Sequence, residues 1–499
     1  MDKTAIVVIA YNRPQSLLRL LDSLTNAYYP DGVDVPLIIS VDKSDSAETE
    51  NVANDYVWEH GEKSVRLHET NLGLKEHVLE CGDISREYDG IIMLEDDLYV
   101  SPSFYMYSLA ALNRVRLDKK VGGISLYNHR LNVHAREPFE AIDDGYDNYY
   151  LQFASSWGQA FSTEQWDAFR EWYMIHKDDE IAGDNVPVNV SSWSEKSWLK
   201  YYIRYLIDTD RYFIYPRISF STNFGDEGMH ASSGVNDLQV PIAGMRKYGQ
   251  IDFHFSDTEE SGARYDAYFE NMCLDGRLPE SAKGDTSVDM YGIKQSGGYK
   301  RYVLTCKSLP YRVMQTYGRS LRPIDANVLY KIEGRDFFLY DTGKPGKAPE
   351  VNVVDKYLYN YRALKAKEML AVLKFRIKSK FPFGKPKNKP ARTVRIPGDR
   401  TRTPEDNSIE TTEMIKNEPD VTAGTDVSVM NETDMISGID AVNETGITGE
   451  MDTMSDTGVE TMMTGFAGEY SPEDNNISID NEETAGVMTG GEGEYLRPS

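Results

Sequence analysis

The first hundred residues switch repeatedly between two hydrophobic periods. "TAIVVIA" (Thr4–Ala10) is a continuous apolar, β-branched run that stops at the turn-forming "YNRP". In "QSLLRLLDSLTNA", Leu17, Leu18, Leu21 and Leu24 recur at helical spacing. "VPLIISVD" (Val35–Asp42) is a second short apolar run, followed by the polar turn "KSDSAET" and a predicted helix through Tyr56. "SVRLHE" predicts a third strand, "LKEHVLECGDISRE" a helix and "GIIMLED" a fourth strand. Strands that alternate with helices form βαβ units, so the expected fold is α/β, with a mostly parallel sheet flanked by helices. Ligands of such sheets bind beyond the carboxyl ends of the strands. Asn12, Asp42 and the Glu95–Asp97 cluster all fall there.

Downstream the pattern loosens. From about Tyr146 to His230 the chain reads as aromatic-rich and loop-rich, with "YYLQFASSWGQAF", "SSWSEKSWLKYYIRYL" and "YPRISFSTNFGDEGMH". Residues 231–350 are mixed, and "GKPGKAPE" (Gly343–Glu350) reads as a loop. Near 364–380 helical apolar spacing returns (Leu364, Met369, Leu370, Leu373, Phe375) with Lys and Arg between. Beyond about Pro404 the chain is rich in Thr, Gly, Glu, Asp and Met. The expected organisation is a catalytic or binding domain over 1–240, an accessory, acceptor-side region over 241–363, a basic amphipathic helix and linker over 364–402, and a disordered acidic tail over 403–499.

Charge sharpens this division. The formal net charge is −26, but residues 403–499 carry 23 acidic side chains against 2 basic ones, which leaves 1–402 at −5. Low hydrophobicity and high charge leave the tail too little apolar surface to offset its ordering entropy. A near-neutral main portion gives no support to nucleic-acid binding by bulk charge. Three cysteines, Cys81, Cys273 and Cys306, without a CxxC, fit a reducing compartment rather than a disulfide framework. No apolar run reaches the roughly 18 residues of a spanning helix. The opening "MDKTAIVVIAYNRP" has too short an apolar core for a signal peptide and reads as a strand. The expected location is cytoplasmic, or peripheral on a membrane.

Three adjacent carboxylates, Glu95, Asp96 and Asp97, close an apolar strand in "IIMLEDDLYV". Like charges repel, so such a group either points into water or holds a cation. One or two carboxylates plus substrate phosphates suffice for Mg²⁺ or Mn²⁺. A departing diphosphate needs such an ion, because charge builds on the phosphate as its bond to carbon breaks.

With "VIAYNRP", "SVD" and "LEDDLYVSPSFYMY" in order, followed by "ISLYN" (Ile124–Asn128), "SSWGQAFSTEQW" (Ser155–Trp166) and "YPRISFSTNFGDEGMH", the chain resembles inverting glycosyltransferases of the GT-A fold over roughly residues 3–240. The likeness is to the N-acetylglucosaminyltransferases that begin complex N-glycan branching and to family-2-like bacterial relatives of capsule and lipopolysaccharide loci. It implies a nucleotide-sugar donor, UDP-linked hexose or GlcNAc being favoured, a Mn²⁺ or Mg²⁺ ion, and a role in polysaccharide biosynthesis. On that resemblance, Asp97 and His230 would ligate the metal, with Asp96 and Glu95 against ribose, metal-bound water or donor sugar. Asp42 would accept from the N3–H of a uracil-type base. Tyr11, Asn12 and Arg13 would line the nucleotide pocket, Asn71 and Gly73 would form the loop beneath it, and Lys75 would neutralise phosphate. Asn128, Trp157, Trp193 and Trp198 would face the acceptor.

The catalytic base is the point of departure from the family pattern. Where the resembled enzyme has W-D-D-W, this chain has "WSEKSW", longer and with a single acid, Glu195. Glu195 leads as the base and Asp184 is the reserve. The acceptor is expected to be a saccharide or a lipid-linked glycan, and residues 364–402 would rest on an anionic membrane surface. Two other readings stand beside this one. The chain could be a glycan-binding or scaffold protein that lost turnover. It could also be a sugar nucleotidyltransferase, although "AYNRP" lacks the glycine-rich phosphate loop of that class.

Overall fold

The computed structural model describes residues 3–380, apart from 117, 184, 225–237, 245–251, 352 and 362–364. The expected acidic tail therefore lies outside the described residues. The opening alternation folds as read: β1 (Thr4–Ala10), α1 (Pro14–Thr25), β2 (Leu37–Val41), α2 (Glu48–Asp55), β3 (Lys63–Leu67), α3 (Leu74–Asp83) and β4 (Gly90–Glu95). Every residue of β1 and β2 is buried. That is why these strands are continuous apolar runs rather than alternating ones. Each fully covered Val, Ile or Leu there contributes about 1.5–3 kcal/mol.

After β4 come β5 (Leu98–Val100), α4 (Phe104–Val115), β6 (Val121–Ser125), β7 (Asn148–Leu151), β8 (Gln159–Ser162), α5 (Thr163–His176), α6 (Trp198–Asp208), β9 (Tyr212–Pro216), β10 (Ser221–Asn223) and β11 (Arg264–Tyr265). The main sheet has nine strands in the order β11-β7-β9-β6-β8-β4-β1-β2-β3. β1 pairs in parallel with β2 and β4, β2 with β3, and β6 with β9, while β8 runs antiparallel between β4 and β6. The carboxyl ends of β1, β2, β3, β4, β6 and β9 therefore share one edge. β11 joins this sheet in parallel with β7, so it extends beyond position 240.

The aromatic-rich stretch is not mainly loop. It contains α5 and α6, whose rings at helical spacing (Trp166, Phe169 and Tyr173; Trp198, Tyr202 and Tyr205) are buried. Phe169 stacks on Tyr202 with centroids 4.1 Å apart, locking the two helices together. Ser162 and Gln165 form a reciprocal capping box that starts α5. The loop reading failed because bulky aromatics, rather than Leu and Ala, supply the apolar stripe.

A second, four-stranded sheet follows in the order β12-β13-β15-β14, where β12 is Thr286–Asp289, β13 Tyr302–Thr305, β14 Tyr311–Tyr317 and β15 Phe337–Pro345. The first part of the expected Gly343–Glu350 loop is thus the end of β15. Helices α7 (Val353–Tyr361) and α8 (Ala366–Lys380) close the described chain. α8 lies within the basic region. Met369, Leu370, Val372 and Leu373 fall on one half of its circumference. All four are about half exposed. Among the described residues no helix is long and apolar enough to cross a membrane.

Candidate active site

The acidic turn is built by strand register. β1 and β4 align Ile9 with Glu95, so the "YNRP" turn and the "EDD" turn leave the sheet side by side. The Asp96 backbone N–H donates to the Ile9 carbonyl at 3.0 Å, fixing the turn against β1. Glu95 is the last residue of β4, and Asp96–Asp97 link it to β5. β5 pairs with β10, and the Phe224 N–H donates to the Asp97 carbonyl at 2.9 Å.

Two of the three acids, Asp96 and Asp97, do hold a cation, and it is Arg13. One guanidinium nitrogen donates to Asp97 Oδ2 at 2.8 Å and the other to Asp96 Oδ1. Asp96 is buried, with a further donor in the Tyr11 N–H at 3.4 Å, whereas the Asp97 side chain is 24% exposed. Burial pushes the Asp96 carboxyl up, to about 6, against the pull of the guanidinium. For Arg13, burial works to lower the pKa, but the two carboxylates outweigh it and hold the pKa above its ordinary value. Tyr11 and Asn12 stand exposed beside this pair.

Asp42, at the end of β2, is buried and organises the neighbouring loop. Its carboxylate accepts from the backbone N–H groups of Lys43 (2.8 Å), Leu72 (2.9 Å) and Gly73 (3.0 Å). It is not a helix cap, since α2 begins after Ala47 with no side-chain cap. Asn71 Nδ2 donates to the Lys43 carbonyl at 2.9 Å, and Gly73 holds φ at +77°, a conformation that favours glycine. The "SVD" and "NLG" segments are therefore one knitted floor. Lys75, in the first turn of α3, lies 5.2 Å from the Tyr201 ring centroid.

Glu195 sits near Lys75. Its Oε1 accepts from Lys200 Nζ at 2.5 Å and its Oε2 from the Tyr201 hydroxyl at 2.6 Å. Partial burial works to raise its carboxyl, but hydrogen bonds from Lys200 and Tyr201, helped by the charges of Lys200 and Lys75, hold it below the usual carboxylate range. Lys200 and Tyr201 are the residues that sequence reasoning missed. The signal was Ser197, whose side chain accepts from the Lys200 N–H and starts α6 just after Glu195.

The expected acceptor residues are placed differently. Trp157, Trp193 and Trp198 are 7%, 7% and 2% exposed, which leaves little ring face to offer a sugar. Asn128 is also buried, its amide donating to the Arg217 carbonyl (2.5 Å) and accepting from the Tyr149 hydroxyl (3.1 Å). His230 and Asp184 lie outside the described residues. A cleft of about 200 Å³, lined by Arg130, Phe139, Tyr291, Arg322 and Tyr359 among others, includes none of the residues named from the sequence.

The donor set suits a hard divalent ion. Asp96 and Asp97 converge on one positive group, the Arg13 guanidinium, which stands in for a cation. Among the described residues no three His, Cys, Asp or Glu gather to hold a metal by themselves. An ion there would complete its shell with phosphate oxygens or with residues outside the described set.

Residues 5–130 match the model of the family described as Glycosyl transferase family 2. That span holds β1 to β6 and every residue assigned to the nucleotide side. The resemblance read from the motifs is borne out there, and the largely parallel sheet agrees with the GT-A expectation. An Arabidopsis thaliana protein described as alpha-1,3-mannosyl-glycoprotein 2-beta-N-acetylglucosaminyltransferase is 24% identical over 255 residues, covering 48% of this chain and 51% of that one. The chain thus spans about half the length of this curated relative. Among solved structures, S. aureus TarS 1-349 is similar at 13% identity and a TM-score of 0.30, over 44% of this chain and 59% of that one. The mannosyltransferase PcManGT from Pyrobaculum calidifontis, in complex with GDP-Man and Mn²⁺, is similar at 12% identity and a TM-score of 0.25, over 34% and 46%.

Proposed function

We propose that this chain transfers a sugar from a nucleoside diphosphate sugar, UDP-hexose or UDP-GlcNAc being favoured, to a saccharide or glycoconjugate hydroxyl. One observation carries the reading: Asp96 and Asp97, at the carboxyl end of β4, share a single cation beside a loop floor organised by Asp42. Asp97 would hold a Mn²⁺ or Mg²⁺ ion, with Asp96 and Glu95 beside it. His230 would be the ion's second protein ligand. Gln239 Nε2 donates to the Phe224 carbonyl at 2.8 Å, close to the Asp97 turn. The ion would offset charge building on the departing diphosphate.

This chain's own residues would do the rest. Asp42, with a lone pair beyond its three backbone donors, would accept from a uracil-type base over the Asn71–Gly73 loop. Lys75 and the exposed Tyr11 and Asn12 would border the phosphates and the nucleoside. Inversion needs a base on the acceptor hydroxyl. Glu195 would serve once the acceptor displaces Lys200 or Tyr201 from its oxygens, with Asp184 in reserve. Residues beyond β11 would form the acceptor side, and α8, with half-exposed apolar residues among lysines, would rest on anionic lipid bearing a lipid-linked glycan.

A second reading, a glycan-binding or scaffold protein without turnover, draws on the low pKa and double engagement of Glu195, which make it a weak base as it stands. Nucleotide release separates the two. The purified chain is incubated with UDP-, GDP- and dTDP-sugars with and without Mn²⁺, and freed nucleotide and melting temperature are measured. Metal-dependent UDP release together with a raised melting temperature supports transfer. Stabilisation by a nucleotide sugar without release from any donor supports the binding reading.

A further inference from the structure

Arg13 has two properties that do not follow from lining a nucleotide pocket. It bridges the two carboxylates that a divalent ion would need, and only its side chain is free to leave. Its backbone is fixed by Pro14 at the start of α1 and by the Leu17 N–H donating to the Arg13 carbonyl at 3.0 Å. Its side chain is 24% exposed. Asp96, at 2% exposure, cannot be left without a positive partner, because an unpaired buried carboxylate is strongly disfavoured.

We propose that Arg13 is an exchangeable latch. In the chain without ligands it occupies the cation position between Asp96 and Asp97, and a divalent ion that takes this position drives the guanidinium onto the diphosphate of the donor. The inference rests on the metal–nucleotide reading of the site. A guanidinium and a divalent ion repel each other and cannot share the same oxygens. Displaced into water, the guanidinium gains nothing that it lacked. Displaced onto a diphosphate, it finds oxygens that suit its planar fork. Metal alone therefore binds against the latch, metal with nucleotide binds with it, and each ligand raises the affinity for the other by the same factor. Arg13 is in this sense a positioning residue that couples the two ligands.

The test measures Mn²⁺ binding by the full chain, from the signal of free Mn²⁺ in electron paramagnetic resonance, with and without UDP. For Arg13→Met the latch predicts at least tenfold tighter Mn²⁺ binding than wild type when nucleotide is absent, and weaker UDP binding when Mn²⁺ is present. It also predicts that Arg13→Met melts below wild type and that Mn²⁺ alone restores it, whereas Mn²⁺ alone leaves wild type unmoved. Arg13→Lys, which keeps a charge but cannot fork across two carboxylates, falls between and serves if the Met variant does not fold. Equal Mn²⁺ affinity for variant and wild type without nucleotide, while both bind Mn²⁺ with UDP, overturns the latch and leaves the metal reading standing. No Mn²⁺ binding by wild type even with UDP overturns the metal reading, and the latch with it.

Discussion

Two groups of carboxylates in this molecule meet positive charge in opposite ways. At the end of β12, Asp289 is completely buried, and its carboxylate takes four hydrogen bonds and one ion pair. Its Oδ1 accepts from the Ile293 and Lys294 N–H groups (2.8 and 2.9 Å) and its Oδ2 from the Tyr299 (2.5 Å) and Thr305 (3.3 Å) hydroxyls, while Lys307 Nζ forms an ion pair with Oδ2 at 3.1 Å. Asp266 pairs with Lys294 next to it, and the buried Glu270 accepts from the Tyr291 N–H at 2.8 Å. At the end of β4, Asp97 is partly exposed, and among the described residues its side chain accepts one hydrogen bond, from the Arg13 guanidinium. A carboxylate surrounded by fixed donors holds a fold together. One satisfied by a single displaceable cation is available to a ligand.

The largest expected effect is on turnover at the β4 turn. Asp97→Ala should lower sugar transfer about 10³-fold, on the scale of losing one preorganised charge-stabilising group, while the melting temperature changes little. Asp289→Ala should do the reverse. Stranding its buried partners costs about 3–5 kcal/mol, a fall of roughly 10 °C in a chain this size, with transfer kept at temperatures where the variant is folded. Calorimetry alongside a nucleotide-release assay checks both. Equal stability loss at the two positions would dissolve the distinction.

Glu195→Gln should reduce transfer about 10²-fold, as loss of a general base does, without changing UDP affinity. Unchanged transfer would move the base elsewhere. The smallest effect concerns His77, buried behind the Asp42 floor and hydrogen-bonded to Ser40 Oγ at 2.7 Å. Burial lowers its pKa to about 4. Its folded pKa lies below the unfolded value near 6.5, so the unfolded chain binds the extra proton between those pH values. The stability it contributes is whole above about pH 6.5 and drains as pH falls towards 4. The stability difference between wild type and His77→Gln should shrink by roughly 2–3 kcal/mol over that window, measured by denaturant unfolding. A difference constant with pH would show that folding leaves the His77 pKa unshifted.

The same contrast explains what was legible in the sequence. β1 to β4 and their helices were readable because each strand is a short unbroken apolar run and each helix is periodic. Asn12, Asp42 and Asp97 were placed at one edge because parallel strands put their carboxyl ends together. Contact was not readable. The Arg13–Asp96 pair depends on the alignment of β1 with β4 across 83 residues of chain, and apolar runs do not reveal register. The Asp289 network draws on positions from Asp266 to Lys307 with no short spacing to mark it. The three tryptophans were offered to a sugar because flat aromatic faces suit sugar rings. Burial, which a list of residue types does not reveal, places all three inside.

Phosphorus NMR of UDP bound to the chain, titrated with Mn²⁺, tests the central claim most directly, since the ion's unpaired electrons broaden only nuclei close to it. The account predicts that both phosphorus signals broaden with wild type at substoichiometric Mn²⁺ and stay sharp with Asp97→Ala under the same nucleotide occupancy. Broadening that is the same in the two proteins would mean that the acidic turn after β4 does not bring the metal to the diphosphate.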